Sequence, residues 1–270
     1  MYLVAKNAPP EDYAIAELIN QGLDSRQLFK AAFSFHQVVL GSQLASEGQT
    51  TIQNGLFKGT FINPESFSSQ FLPKFIGTYE CEVQNHLISI KTPIDCFLNI
   101  GCADGFYVAC IARWLRIPCI GVDIDPRSAA AIANVGQAND VGDLVSFSKS
   151  TSEAARQLSG SVLILIDVDG AESKVLSELL EALEKNPLIK HVHLILETDL
   201  DAKGDMNHPV LIHSLSSKDW TIDRLIQQDH SQHFLHRHSH LSFLDQVALA
   251  AEGRHGGQIW IAAQRAYNSQ

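Results

Sequence analysis

Residues 97–105 read Phe-Leu-Asn-Ile-Gly-Cys-Ala-Asp-Gly, and residues 121–123, one helical pattern further on, read Gly-Val-Asp. The first stretch is an apolar run that ends in a glycine turn, and the second apolar run ends in a carboxylate. This order predicts a strand, a glycine loop, a helix and a second strand that ends at Asp123. The spacing from Gly101 to Asp123 is close to the roughly 20 residues that place an acid on a ribose. The two stretches together predict an α/β unit that binds a nucleoside.

The positions of the glycines argue against a dinucleotide ligand. A pyrophosphate loop needs glycine at its first, third and sixth positions, which are Gly101, Ala103 and Phe106 in this chain. We expect the Phe106 side chain to block the close approach of a diphosphate to the helix. A cofactor with a ribose and no phosphates fits better, and S-adenosylmethionine is the common one. Two alternatives stay open: a nicotinamide-dependent oxidoreductase and a non-catalytic relative that binds the cofactor.

Composition limits the partners and the compartment. The chain has 270 residues, 45% of them hydrophobic, five cysteines and a formal net charge of −10. This charge would repel a phosphate backbone and no Lys/Arg cluster offsets it, so we expect no nucleic-acid partner. The number of cysteines is odd and several lie inside predicted strands or helices as small apolar residues, which indicates a reducing, cytoplasmic compartment, and the absence of a C-x-x-C pair argues against a zinc ribbon. No apolar run approaches the length of a membrane span, so we expect no membrane partner. The oligomeric state is left open.

Strand and helix patterns alternate from residue 95 onward, which predicts a parallel sheet covered by helices on both faces. The predicted strands lie near residues 96–100, 118–122, 144–148, 162–166, 191–196, 220–226 and 258–263. The predicted helices lie near residues 77–90, 104–115, 127–138, 151–158, 171–185 and 207–217. We therefore expect a Rossmann-like, doubly wound sheet of seven strands, mostly parallel, with the last strand antiparallel.

Two further regions surround this alternation. Residues 1–75 are predicted to be an N-terminal extension, helical within 11–47 and a connector over 48–75, and residues 76–270 form the sheet domain. An insertion at 227–257 separates the last two strands. It begins with a histidine cluster: His230, His233, His236, His238 and His240. We interpret this cluster as a surface segment rather than a metal site, with one histidine able to reach the active site as a base.

Acids near the glycine loop have separate predicted roles. Asp123 should accept both ribose hydroxyls through its carboxylate. Asp125 lies further round and precedes a proline, so we predict that it caps the next helix. Asp104 would either accept from a cofactor ammonium group or cap the helix after the loop. Gly101 permits the turn, and Gly105 would let the backbone approach a ligand.

Acids also follow the later strands, at the edge where open α/β sheets bind ligands. Asp167 ends one strand and Glu197 ends the next, so we expect the two carboxylates to be neighbours. One of them could be the base for a substrate hydroxyl. Equally, the pair could hold Mg²⁺ with Asp199 as a third oxygen donor.

Three other polar residues near these acids have structural explanations. Asp169 and Glu172 precede a long helix, whose dipole favours acids at that end whether or not they have a function. His193 lies inside a strand, and we predict a hydrogen-bonded core histidine.

By these residues, the chain resembles a known family. Residues 98–105 with 121–123 resemble motif I and the following acid of class I S-adenosylmethionine-dependent methyltransferases. Residues 165–172, Leu-Ile-Asp-Val-Asp-Gly-Ala-Glu, followed by Leu196 and Glu197, resemble the signatures of FkbM-type methyltransferases. The resemblance covers about residues 95–200, and residues 77–80, Gly-Thr-Tyr-Glu, are taken with it.

The resemblance implies an O-methyltransferase that acts on a hydroxyl of a small molecule or sugar. It implies that S-adenosylmethionine contacts Tyr79, Glu80, Gly101, Cys102, Ala103, Asp104, Gly105, Asp123, Ile124 and Asp167. Asp167 and Glu197 are the predicted catalytic residues, and the use of a divalent metal is left open. The chain departs from the family pattern at Asn99, where Asp is usual, and at Asp169, where Glu is usual.

Overall fold

A computed structural model describes residues 18, 20–22, 24–64, 71–198, 207–227, 242, 245 and 259–267. Within these residues, seven strands form one sheet in the order β3-β2-β1-β4-β5-β7-β6. The strands are β1 (Cys96–Ile100), β2 (Cys119–Val122), β3 (Val145–Ser148), β4 (Gly160–Ile166), β5 (Ile189–Thr198), β6 (Thr221–Gln227) and β7 (Ile259–Ala266).

Helices connect the strands and cover the sheet. They are α1 (Ser25–Ser46), α2 (Phe71–Ile76), α3 (Cys81–Ser89), α4 (Phe106–Leu115), α5 (Arg127–Ala138), α6 (Thr151–Ala155), α7 (Glu172–Glu184) and α8 (His208–Ser216). Within the described ranges, no helix is long and apolar enough to cross a bilayer.

Strand directions agree with the predicted sheet. Strands β1 to β5 pair in parallel, and β7 pairs antiparallel with both β5 and β6. The Rossmann-like, doubly wound architecture with an antiparallel last strand is therefore confirmed. The order of the strands reverses between β1 and β4, and such a switch point is where open α/β sheets leave a crevice for a ligand.

The central strands are buried on both faces, which explains their continuous apolar sequences. Along β4, Leu163 and Leu165 belong to one buried cluster, whereas Val162, Ile164 and Ile166 belong to the cluster on the opposite face. This alternation follows from the period of two of a strand, so a single apolar run contributes to two cores.

The chain just before the sheet contains a helix that was not predicted. Residues 71–76, expected to belong to the connector, form α2, because Leu72, Phe75 and Ile76 are buried in the core. Tertiary burial stabilises a helix too short to form by itself. The helix predicted over 77–90 begins only at Cys81, since Glu80 takes a left-handed conformation with φ +48°.

Candidate active site

A cavity of about 1080 Å³ opens at the carboxyl ends of β1, β2, β4 and β5. Eight of the ten predicted cofactor residues line it: Tyr79, Gly101, Cys102, Ala103, Asp104, Asp123, Ile124 and Asp167. The other predicted catalytic residue, Glu197, lines it too. Glu80 and Gly105 do not belong to the lining, and Asp199 and the cluster His230–His240 lie outside the described residues.

Gly101 is required by the protein's own packing. Its φ is +81°, and a Cβ atom there would lie 1.7 Å from the backbone oxygen of Asp167. The glycine therefore lets β1 and β4 approach each other at the base of the cavity. A larger residue at this position would collide with backbone and would disturb the fold directly.

Gly105 also faces protein rather than ligand. It precedes α4 with φ +81°, and a Cβ atom there would lie 2.8 Å from the Cγ1 atom of Ile132 on α5. The close approach that this glycine allows is thus between two helices. The sequence predicted the need for glycine at this position, and the structure adds a reason for it in the packing of α4 against α5.

Asp123 connects the loops that surround the cavity. Its Oδ2 accepts the backbone N–H of Ala103 at 2.7 Å, and its Oδ1 accepts that of Asp125 at 2.8 Å. Each carboxylate oxygen has a second lone pair, so both can still accept a ligand hydroxyl. Beside it, the side chain of Ile124 is fully exposed at the cavity surface.

Asp125 bonds to the first residue of the next helix, although it does not take the N-cap position predicted for it. Its Oδ1 accepts the backbone N–H of Arg127, the first residue of α5, at 2.8 Å, although Pro126 takes the N-cap position itself. The Arg127 guanidinium also contacts the carboxylate at 2.5 Å. Hydrogen bonds from Arg127 hold the pKa of Asp125 below its usual range.

Asp104 contacts Phe106 and Lys74, and only the contact at the start of the helix was predicted. Its Oδ1 accepts the N–H of Phe106 at 3.2 Å, which satisfies an amide at the start of α4. Its Oδ2 accepts from the Lys74 ammonium at 2.7 Å, in a pair whose side chains are 2% and 6% exposed. The sequence analysis missed Lys74 because it did not predict α2, the helix that carries this residue. The signal that could have identified it is a single lysine within the apolar stretch 71–76.

Glu80 acts behind the cavity wall. Its side chain is fully buried and accepts the hydroxyl of Tyr107 at 2.5 Å. The Tyr107 ring lines the cavity, and the neighbouring Phe106 ring meets that of Tyr79 edge-on at 5.3 Å between centroids. Glu80 therefore positions a lining residue and is not itself part of the lining.

Asp167 and Glu197 end adjacent parallel strands. The register pairs Ile166 with Leu196, so the two acids follow side by side at one edge of the sheet, as predicted. Asp167 is half-buried, whereas Glu197 is 6% exposed.

The remaining acids of this edge divide by role. Asp169 is exposed and lines the cavity. Glu172 is buried and accepts from the backbone N–H of Gly170 at 2.8 Å and from the side-chain amide of Asn207 at 2.9 Å. Glu172 thus secures the loop after β4 against the start of α8.

Within the described residues, no group of three His, Cys, Asp or Glu side chains is arranged to hold a metal ion. His193 is a core histidine, 7% exposed, but its Nε2 has no hydrogen-bond partner among these residues, contrary to our expectation. Burial, with a smaller effect of the adjacent His191, lowers its pKa to about 4.

Several lining residues carried no signal in the sequence. Lys149, Ser150 and Thr151 follow β3, and Lys174 and Glu178 come from α7. They reach the cavity because β3 and α7 lie on either side of the switch point. Only the order of the strands could have revealed them.

No protein-family model and no curated protein matches the sequence. The fold is similar to that of a precorrin-6y methyltransferase from Geobacter metallireducens, with a TM-score of 0.50 over 78% of this chain and 98% of that one at 12% identity. A ribosomal-protein methylase from Lactobacillus delbrueckii subsp. bulgaricus gives a TM-score of 0.43 over 69% and 77% at 14% identity. A B. subtilis tRNA methyltransferase gives 0.44 over 76% and 69% at 11% identity. The chain has the Rossmann-like fold of methyltransferases.

Proposed function

We propose that this chain is an S-adenosylmethionine-dependent methyltransferase that acts on a hydroxyl group of a small molecule or sugar. The observation that carries the proposal is the position of Asp123 and Ile124 side by side at the cavity. A carboxylate with free lone pairs suits the two hydroxyls of a ribose, and a fully exposed isoleucine suits the flat face of a base.

The start of α4 favours a nucleoside without phosphates. Phe106, the first residue of that helix, lines the cavity, and its ring meets those of Tyr79 and Tyr107 edge-on. An anion site at a helix N-terminus needs open backbone N–H groups. Here the N–H of Phe106 is already donated to Asp104. This arrangement supports S-adenosylmethionine over a nicotinamide dinucleotide.

Methyl transfer needs little chemistry from the protein beyond positioning. When bound, S-adenosylmethionine would supply a methyl group on a sulfonium, and an acceptor oxygen would take that methyl group and leave a neutral thioether. The hydroxyl proton must leave the acceptor. We propose that Asp167 or Glu197 takes it, because both carboxylates line the cavity at neighbouring strand ends. The proposed reaction uses no metal.

Charge favours a small acceptor over a nucleic acid, although more than one of the similar structures is described as a tRNA methyltransferase. The cavity lining carries seven acids and four bases: Asp104, Asp123, Asp125, Asp167, Asp169, Glu178 and Glu197 against Lys74, Arg127, Lys149 and Lys174. A phosphate backbone would meet this excess of acid on a chain of net charge −10.

We also propose the division into an extension over 1–75 and a methyltransferase domain over 76–270. The FkbM-type assignment rests on the motifs at 165–172 and 196–197. The regions outside these motifs, 1–75 and 227–257, are where we place the determinants of the acceptor.

Calorimetric titration with S-adenosylhomocysteine and with NAD tests the cofactor, and we expect binding of the first only. Incubation with methyl-labelled S-adenosylmethionine and a panel of sugars and phenols then tests the reaction, with mass spectrometry to locate the methyl group. Tight binding of NAD would favour the oxidoreductase. Cofactor binding without transfer to any of a broad set of acceptors would favour the non-catalytic relative.

A further inference from the structure

We propose that residues 50–62, here called the brace, hold the aromatic wall of the cavity in place, and that Phe57 and Gln84 are positioning residues for the cofactor. The aromatic wall consists of three rings that line the cavity: those of Tyr79, Phe106 and Tyr107. Phe57 and Gln84 are not among the described residues that line the cavity, so they act on the wall from behind. The inference rests on the function proposed above and deepens it, because it gives part of the N-terminal extension a role in the site.

The brace folds back on itself and belongs to the hydrophobic core. The backbone N–H of Ile52 donates to the carbonyl of Thr60 at 2.9 Å, and that of Ile62 donates to the carbonyl of Thr50 at 2.9 Å. The side chains of Ile52, Phe57 and Ile62 are at most 4% exposed, and they lie in the same buried cluster as the three rings of the wall. A segment whose apolar side chains are buried in this way is fixed to the domain and does not behave as a linker.

Phe57 supports two rings of the wall directly. Its ring meets those of Phe106 and Tyr107 edge-on, at 6.1 Å between centroids in each case. It also meets the ring of Trp114, further along α4, at 6.3 Å. Edge-to-face contacts favour one relative orientation of the rings as well as one distance. Phe57 therefore limits how far the two cavity-lining rings can turn or retreat.

Gln84 connects the brace to the third ring of the wall. This residue of α3 is 5% exposed, its Oε1 accepts the backbone N–H of Leu56 at 3.2 Å, and its Nε2 donates to the backbone oxygen of Tyr79 at 2.7 Å. The brace also touches the turn before Tyr79, because a Cβ atom at Gly77 would lie 1.9 Å from the backbone oxygen of Asn54. The position of Tyr79 thus depends on that of the brace.

The other end of the brace is anchored at the end of α5. The side chain of Asn139, which follows that helix, accepts the backbone N–H of Phe61 at 2.7 Å and donates to its carbonyl at 2.9 Å. One side-chain amide therefore satisfies both backbone groups of Phe61, as a neighbouring strand would. Because α5 begins at Arg127, which lines the cavity, both ends of the brace are attached to parts of the chain that reach the site.

Two variants separate a positioning role from a merely structural one. Phe57→Leu removes the ring but keeps an apolar side chain, and Gln84→Met removes both hydrogen bonds but keeps the length of the side chain. Urea denaturation identifies conditions under which each variant is folded, and calorimetry under those conditions gives the affinity of the folded protein for S-adenosylhomocysteine. We expect each variant to bind about 3- to 10-fold more weakly, the fold-change that corresponds to one aromatic pair or one hydrogen bond.

Leu215→Ala is the matched control, because Leu215 is fully buried in α8 and belongs to the core cluster on the opposite face of the sheet. Truncation of a core leucine to alanine is at least as destabilising as an exchange of one large apolar residue for another. This variant should nevertheless bind S-adenosylhomocysteine with wild-type affinity. If Phe57→Leu does not fold, Phe57→Met removes the ring with a smaller change in volume, and the same loss of affinity is expected.

The double variant Phe57→Leu, Gln84→Met tests whether the two residues act on one wall. Its loss of affinity should be smaller than the product of the two single losses, since residues that share a structural unit have non-additive effects.

Wild-type affinity in both folded single variants, an equal loss in Leu215→Ala, or independent losses in the double variant would each overturn the inference and leave the proposed function intact. A wild-type protein that does not bind S-adenosylhomocysteine would overturn the proposed function, and the inference with it.

Discussion

The carboxylate of Asp123 accepts the backbone N–H of Ala103 at 2.7 Å, so the acid at the end of β2 holds the glycine loop that follows β1. This bond joins the two sequence stretches that predict a nucleoside site. The geometry of the loop and the position of the acid that we propose to bind the ribose are therefore set together. A substitution at Asp123 should act on both.

Removing the Asp123 carboxylate should weaken cofactor binding strongly. In Asp123→Ala the ribose hydroxyls lose their acceptor and Ala103 loses its anchor, and we expect a loss of about 1.5–3 kcal/mol in binding of S-adenosylhomocysteine. Calorimetry on the folded variant measures it. The control is Asp125→Ala, which removes a helix-capping acid from the same loop and should cost much less. Comparable losses in both variants would contradict the assignment of the ribose to Asp123.

Substitution of Gly101 should destabilise the fold. Gly101→Ala combines a positive φ with a collision against the backbone of Asp167. We expect a loss of about 2–5 kcal/mol in the free energy of unfolding, since strain of about 1–2 kcal/mol adds to overpacking of about 1–3 kcal/mol. Urea denaturation measures it.

Gly170→Ala is the matched control for Gly101→Ala. Gly170 has a similar φ of +75°, but nothing lies within 4 Å of a Cβ atom built there. This variant should show the strain alone, about 1–2 kcal/mol. Equal effects at the two glycines would show that close packing between the strand ends is not what requires Gly101.

Removing a catalytic carboxylate should slow methyl transfer more than it weakens cofactor binding. If Glu197 or Asp167 is the base, Glu197→Gln or Asp167→Asn should lower the turnover rate about 10²–10⁴-fold. Labelled-methyl assays measure the rate, and titration with S-adenosylhomocysteine provides the binding control. Full activity in both variants would remove the pair from catalysis.

A chelator should leave the turnover rate unchanged, because the proposed reaction uses a carboxylate and no metal. The assay compares the rate before and after treatment with EDTA, and again after addition of Mg²⁺. A fall that Mg²⁺ restores would instead assign these carboxylates to a metal.

Acid should destabilise the protein through His193. The pKa of this histidine is about 4 when folded, against 6.5 as its ordinary value, mainly because it is buried. Between pH 6.5 and pH 4, His193 is protonated in the unfolded chain but stays neutral in the folded one. The free energy of unfolding therefore falls as the pH falls through this range, by at most about 1.4 kcal/mol per pH unit. Urea denaturation over this range should show a flatter pH dependence for His193→Leu. His213→Gln, at an exposed position on α8, controls for the loss of a histidine. An unchanged slope in His193→Leu would show that His193 does not titrate in this way.

The order of strands and helices could be predicted from the sequence, because each depends on a local period. The buried run at 162–166 and the alternation after residue 95 identify a doubly wound sheet. Acids at the ends of such runs, Asp123, Asp167 and Glu197, were placed at one edge because parallel strands end together there. The local chemistry around Asp125 was also predictable, since a capping side chain bonds to a residue two positions away.

Tertiary structure alone decided which distant groups meet. The partner of Asp104 is 30 residues away on a helix that forms only because its apolar residues are buried, and the partner of Glu80 is 27 residues away. The sequence identified Gly101 and Gly105 as positions that need glycine. The residues packed against them, Asp167 and Ile132, are brought there by the topology of the fold. Sequence periodicity encodes the faces and ends of elements. Contacts between side chains far apart in the chain depend on how those elements pack against each other. A local sequence pattern does not determine that packing.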